Sequence, residues 1–194
     1  MKPTRDSWSL ARRKPTNLSV QKDSEATTAM ETPPKHIQLR SDLKPGDMGY
    51  IIYLHGLLYA QEYQWDHTFE GYVADGLARF ALSYNPHQDR LWIAELDGQI
   101  VGCLGIVGLS ESETQLRWFL VHPACRGQGL GRQLLNEALH FCRERGFKSI
   151  SLWTVSELEA AAHLYQSVGF HKTEEKTHEI WGQVLTEEKY CMLL

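Results

Sequence analysis

Val121-His122-Pro123-Ala124-Cys125-Arg126-Gly127-Gln128-Gly129-Leu130-Gly131-Arg132 is the stretch on which the reading of this chain turns. An apolar run ends at Val121, glycines alternate at 127, 129 and 131, and a helical pattern begins. Glycine lets a backbone take positive φ and approach a ligand closely. Free N–H groups at a helix start, aided by the helix dipole, attract phosphate oxygens, and Arg126 and Arg132 add charge-assisted donors. Two readings stand: a pyrophosphate loop, or a plain tight turn into a helix. Other phosphate loops fit less well. The P-loop ends in Gly-Lys-Ser/Thr, which is absent. The Rossmann fingerprint spaces its glycines G-x-G-x-x-G behind a first strand; here they read G-x-G-x-G in mid-chain.

Immediately upstream, Arg90–Glu95 and Gln99–Leu109 flank Leu96-Asp97-Gly98, and Asp-Gly between apolar runs signals a hairpin. A third strand spans Gln115–His122. Downstream, Leu130, Leu134, Leu135, Ala138, Phe141 and Cys142 give a helix over Gly129–Arg145 its apolar stripe, and Gly146 stands where a C-cap glycine belongs. Lys148–Thr154 alternates as a strand. Ser156 and Glu159 form the S-x-x-E pattern of a capping box for the next helix, which Gly169 ends. His178–Trp181 and Lys189–Leu193 are candidate closing strands.

Further back, His36–Arg40 alternates as a strand, and Pro45 can open a helix carrying Met48, Ile51, Ile52, His55, Leu58 and Tyr59 at helical spacing. Asp66 can cap a second helix with Phe69, Val73, Leu77, Phe80 and Tyr84. The order β-α-α-β-β-β-α-β-α-β-β predicts one α/β (α+β) domain over residues 36–194. Residues 1–35 are rich in Ser, Thr, Lys and Arg, poor in large aliphatics, and read as a flexible extension. Arg5, Arg12 and Arg13 point weakly to an organelle transit peptide, against Asp6, Asp23 and Glu25.

The bulk composition narrows the function. The 194 residues carry a net charge of −4, which argues against general nucleic-acid binding. Four cysteines without a C-x-x-C pair suit a reducing compartment rather than a disulfide scaffold. Nine histidines show no H-E-x-x-H or other ligand spacing, so no metal is expected. Tyr50–Ala60, the most apolar stretch, is too short to span a bilayer, and the N-terminus lacks a secretory apolar block. The expectation is a cytoplasmic protein with no membrane and no nucleic-acid partner.

Arg126–Gly131 resembles the R/Q-x-x-G-x-G/A pyrophosphate loop of the GNAT superfamily of N-acetyltransferases, behind a Leu120-Val121-His122-Pro123 strand end like that family's. Ala161-Ala162-His163-Leu164-Tyr165-Gln166-Ser167-Val168-Gly169-Phe170 is similar to its A-x-x-L-Y-x-x-x-G-F signature. The wording around Leu116–Val121, Leu152-Trp153-Thr154 and Tyr59–Tyr63 resembles acetyltransferase domains fused to MarR-type regulators, and the expectation from that resemblance is a stand-alone version.

The resemblance implies a mixed, mostly antiparallel twisted sheet of six to seven strands flanked by about four helices. It implies acetyl-CoA as co-substrate. Phe119, Leu120 and Val121 would meet its pantetheine and thioester. Arg126, Gly127, Gln128, Gly129, Leu130, Gly131 and Arg132 would wrap its pyrophosphate. A small-molecule or peptide amine would attack the thioester directly, and Tyr165 would protonate the departing thiolate. A half-buried core aromatic is the alternative reading of Tyr165. Where relatives carry a basic Glu, eleven residues before Arg126, this chain has Gln115. Glu113, on the same strand face, and Glu62 are the substitute candidates. Where relatives often have Asn, this chain has Leu158. Cys125 beside the loop reads as an ordinary thiol, and His122 as structural. Family habit implies a possible homodimer. The alternative to catalysis is a GNAT-fold module that binds acyl-CoA without turnover.

Overall fold

Two helical layers cover the two faces of one seven-stranded sheet in the computed structural model, which describes residues 36–194; the extension expected over residues 1–35 lies outside the described residues. The elements in chain order are β1 (Gln38–Arg40), α1 (Asp47–Tyr63), α2 (His67–Ser83), β2 (Arg90–Leu96), β3 (Gln99–Gly108), β4 (Glu113–Val121), α3 (Leu130–Glu144), β5 (Ser149–Val155), α4 (Glu159–Gln166), β6 (His171–Ile180) and β7 (Gln183–Leu193). The sheet order is β1-β2-β3-β4-β5-β7-β6. Every pairing is antiparallel except β4 with β5. This is the mixed, mostly antiparallel α/β sheet with four helices that the resemblance implies.

Alternation along the central strands explains the two layers. Leu91 and Ile93 of β2 join Ile51, Leu54, Leu77 and Phe80 of α1 and α2 in one core. Trp92 and Ala94 join Leu134, Leu135, Ala138 and Phe141 of α3 in the other. Side chains two apart on a strand share a face, so β2 and β3, apolar on both faces, can only sit in the middle of such a sandwich.

Local chemistry sets the element ends. Asp66 is the N-cap of α2, accepting from the Thr68 amide at 2.9 Å. Gly98 and Gly146 take left-handed φ of 77° and 78° at the hairpin and behind α3. Asp47, in the first turn of α1, is gripped by Arg40 through two 2.8 Å bonds and accepts the Lys44 amide at 2.7 Å. Burial pushes its carboxyl up, but the Arg40 and Lys44 bonds outweigh that and hold it below the usual range.

Two expectations are corrected. No capping box starts α4. Its N-cap is Leu158 without a side-chain bond, because the Ser156 amide is drawn to the Thr186 carbonyl at 3.0 Å and the Leu158 amide turns back to Val155. The closing strands are also far longer than His178–Trp181 and Lys189–Leu193. Edge strand β6 is exposed over most of its length, so it carries no alternating pattern to read. Among the described residues, no helix is long and apolar enough to cross a membrane.

Candidate active site

The site is a parting in the sheet. β4 and β5 pair only from Glu113 to Gln115 against Ser149 to Ser151; beyond that no pairing holds them, and the later residues of β4 are free to face a ligand. The β3–β4 register slips between Cys103 and Gly105, where Trp118 takes φ 49°. A left-handed tryptophan in a strand is a backbone outlier of the kind that gathers at functional sites. Two contacts hold it. The Cys103 thiol donates to the Trp118 carbonyl at 3.0 Å. The indole lies over Gly105, where a Cβ would come within 2.5 Å of the ring. Burial pushes the Cys103 thiol up to about 12, so it is a structural donor rather than a nucleophile.

A cleft of about 670 Å³ opens beside the end of β4. Its floor is Phe119, Leu120 and Val121, and one end is formed by Gly127, Gly129, Gly131 and Arg132. Gly127 and Gly129 hold φ of 72° and 84°, and no side chain caps α3. The first amides of that helix therefore retain donors for an anion. Gly131 is needed for another reason: a Cβ there would lie 3.3 Å from Leu164 of α4 and 3.5 Å from Phe119.

Two other residues of the loop face elsewhere. The Gln128 side-chain amide donates to the Ala124 carbonyl at 3.1 Å. Leu130 is buried in the core beneath α3. His122 accepts from the Ala124 amide and caps the short turn Pro123–Cys125.

Arg126 and Glu62 meet across the cleft. Nη1 and Nη2 of Arg126 donate to the two Glu62 oxygens at 2.7 and 2.9 Å, while Nε donates to the Val121 carbonyl at 2.9 Å. Glu62 is thus brought to the loop, with its carboxylate already engaged by a guanidinium.

A second, inner cavity of about 110 Å³ lies on the α1–α2 side. Tyr59, Phe119 and Leu158 border both spaces, so the two meet there. Tyr165 borders the inner cavity. It is 5% exposed, packs against Phe119, Phe170 and Tyr190 at 5.9–6.3 Å, and its hydroxyl makes no hydrogen bond among the described residues. Burial and the nearby Tyr59 hold the phenol well above its ordinary value, so it keeps its proton at neutral pH. Glu113 is not brought here: it stands exposed at the start of β4 and borders neither space.

From the α1–α2 stretch, His55, Tyr59 and Trp65 line the inner cavity, and Tyr63 borders the outer cleft. Tyr53 points away, 54% exposed. Burial lowers His55 to about 4, and its ring nitrogen Nδ1 bonds the Ile51 carbonyl at 2.8 Å, so the ring is neutral. Sequence reasoning missed Arg117, Trp153, Thr154, Trp181 and Glu187, which also line this cavity. Arg117 was findable, since it lies two residues from Gln115 on one strand face. Glu187 and Trp181 arrive from the β6–β7 hairpin, whose tip docks on the α1–α2 corner. There the Asp66 amide bonds the Trp181 carbonyl at 3.1 Å, and the Gln183 side chain bonds the Tyr63 carbonyl at 2.8 Å.

Comparison with known proteins agrees with this geometry. Residues 52–170 match the acetyltransferase (GNAT) family. The chain is 40% identical over 108 residues to the uncharacterized N-acetyltransferase YjgM of Escherichia coli (strain K12), covering 52% of this chain and 64% of that protein. It is 29% identical over 137 residues to N-acetyltransferase family 8 member 3 of Rattus norvegicus, covering 68% and 60%. The chain thus spans less than two thirds of the length of these curated relatives. Among solved structures, a GNAT family acetyltransferase from Elizabethkingia anophelis with acetyl-CoA bound shares the fold, with TM-score 0.59, 18% identity, and coverage of 81% of this chain and 98% of that one. The family match covers well over half of the chain, and this protein belongs to the GNAT family of acetyltransferases.

Proposed function

We propose that residues 36–194 transfer an acetyl group from acetyl-CoA to a primary amine by direct attack in a ternary complex, in the cytoplasm. The observation that carries this reading is the meeting of two spaces at Tyr59, Phe119 and Leu158. One begins at an uncapped, glycine-opened helix; the other holds a buried tyrosine whose hydroxyl is unbonded among the described residues. The amides of α3 and Arg132 suit the pyrophosphate. The parted end of β4 offers backbone groups of Phe119 and Val121 to the pantetheine arm. The amine, held in the inner cavity, attacks the thioester carbon, the carbon–sulfur bond breaks, and Tyr165 gives its proton to the thiolate and regains one from the acylated nitrogen. Fixing both reactants supplies most of the acceleration. Glu62 serves as the counter-ion of Arg126 rather than as the base. A structure of the same fold with acetyl-CoA bound supports the choice of co-substrate, and four free cysteines suit the compartment.

A second reading, an acyl-CoA-binding module without turnover, is favoured by one observation: Gln115 faces the inner cavity, and a carboxamide cannot accept the ammonium proton. Release of free thiol from acetyl-CoA in the presence of a panel of amines separates the two. Amine-dependent release supports transfer. Coenzyme binding without release from any amine supports the module.

A further inference from the structure

The inner cavity carries two opposite charges that the transfer reaction itself does not require. Arg117 enters from β4 and Glu187 from β7. Glu187 stands opposite Val155, at the end of β5 that has parted from β4. The two charges therefore flank the parting from opposite sides.

Arg117 is held but not neutralised. Its guanidinium lies 5.5 Å from the Tyr72 ring centre and 5.0 Å from that of Trp118. It rests on Gly76 of α2, where a Cβ would sit 3.0 Å from Nη2, so any larger residue would displace it. Among the described residues no carboxylate pairs with it, and its N–H donors are left for something that enters the cavity. A planar guanidinium with its fork unoccupied is suited to a carboxylate.

Glu187 is the complementary charge. One oxygen lies 2.8 Å from His178 Nε2, not aligned for a hydrogen bond, and the carboxylate borders the cavity in common with Tyr165. Trp65, Phe69 and Trp181, mutually packed at 4.4–4.7 Å, supply an apolar wall in the same cavity.

We infer that the acceptor is an α-amino acid, or a small molecule ending in the same amino-carboxylate unit, with an apolar side chain: Arg117 binds its carboxylate and Glu187 its ammonium. The inference rests on the transfer reaction proposed above and names its substrate class. The ammonium gives one proton to Glu187, the freed amine attacks the thioester carbon, and the carbon–sulfur bond breaks. The thiolate takes the Tyr165 proton, and the second proton shed by the acylated nitrogen returns to the Tyr165 oxygen, leaving an N-acetylamino acid and free coenzyme A.

The test uses the full chain with phenylalanine, tryptophan and leucine, each beside its decarboxylated amine, and with Arg117→Met and Arg117→Lys. Two readouts are taken: thiol release, and calorimetric binding of the amino acid in the presence of coenzyme A. The expected result is that an amino acid exceeds its decarboxylated amine at least about tenfold in kcat/KM. Arg117→Met removes that preference by lowering the amino-acid kcat/KM at least about tenfold more than that of the amine, with acetyl-CoA affinity kept, and Arg117→Lys restores part of it. Equal use of amine and amino acid, or an equal loss on both in Arg117→Met, overturns the inference while transfer itself stands. Amino-acid binding that depends on Arg117 without any transfer supports the assigned site and sinks the transfer reaction instead.

Discussion

Glu62 and Arg126, 64 residues apart in sequence, form a two-pronged ion pair across the mouth of the coenzyme cleft, at 2.7 and 2.9 Å. The pair is partly exposed, 25% and 47%, and such pairs are worth about 1 kcal/mol at most. Its consequence is electrostatic. The arginine that the loop sequence offers to a pyrophosphate is already neutralised, so an incoming phosphate must compete with Glu62 or rely on the α3 amides and Arg132. Glu62→Gln is therefore expected to tighten acetyl-CoA binding, by up to about fivefold, with the gain shrinking as salt rises. Turnover at saturating coenzyme stays unchanged. Calorimetry at two ionic strengths checks the first point, and a fall in saturated rate would return Glu62 to the role of base.

Tyr165→Phe keeps the packing against Phe119 and Phe170 and removes only the hydroxyl. The rate with saturating substrates should fall about 100-fold, with acetyl-CoA affinity and melting temperature near wild type. Steady-state kinetics with parallel calorimetry measure both. An unchanged rate would assign Tyr165 to the core alone.

Gly129→Ala places a Cβ at φ 84°, which costs about 1–2 kcal/mol, and it shifts the first amides of α3. The expected outcome is a modestly lower melting temperature with coenzyme affinity reduced about tenfold. Gly49→Ala is the control: it lies in α1 with nothing within 4 Å of its added Cβ, and neither quantity should fall.

His55 ties stability to acidity. Burial lowers its pKa to about 4 from an ordinary 6.5, so in that interval the unfolded chain binds a proton that the folded chain does not. Stability then falls as pH drops from about 6.5 toward 4, by on the order of 3 kcal/mol. The Arg40–Asp47 pair adds its own loss only below the usual carboxylate range, because the Asp47 pKa is depressed. His55→Phe preserves the stack on Tyr59 and should flatten the upper part of the profile. Urea unfolding across pH 4–7 measures it. Equal slopes for the two proteins would contradict the assignment.

Which parts of this site the sequence disclosed follows from how local each part is. The glycine loop, the Asp66 cap and the Asp97-Gly98 hairpin rest on conformational needs that one or two residues announce, and all are found in place. The S-x-x-E pattern at Ser156 failed because a distant carbonyl, Thr186, claimed the backbone first. The acceptor cavity was half legible. His55 and Tyr59 belong to the helical spacing read for α1. Glu187 and Trp181 come from a hairpin whose place beside β5 depends on sheet order, and no neighbouring residue records that. Glu113 shares a strand face with Gln115 as alternation requires, yet lies before the strands part, and the position of that parting is likewise a property of the pairing.

The most direct measurement is calorimetric titration of acetyl-CoA into the full chain and into an Arg126→Ala/Gly129→Ala variant. Binding on the order of micromolar that the variant weakens at least tenfold is the predicted result. A folded wild-type chain that takes up no acetyl-CoA would contradict the account of the cleft.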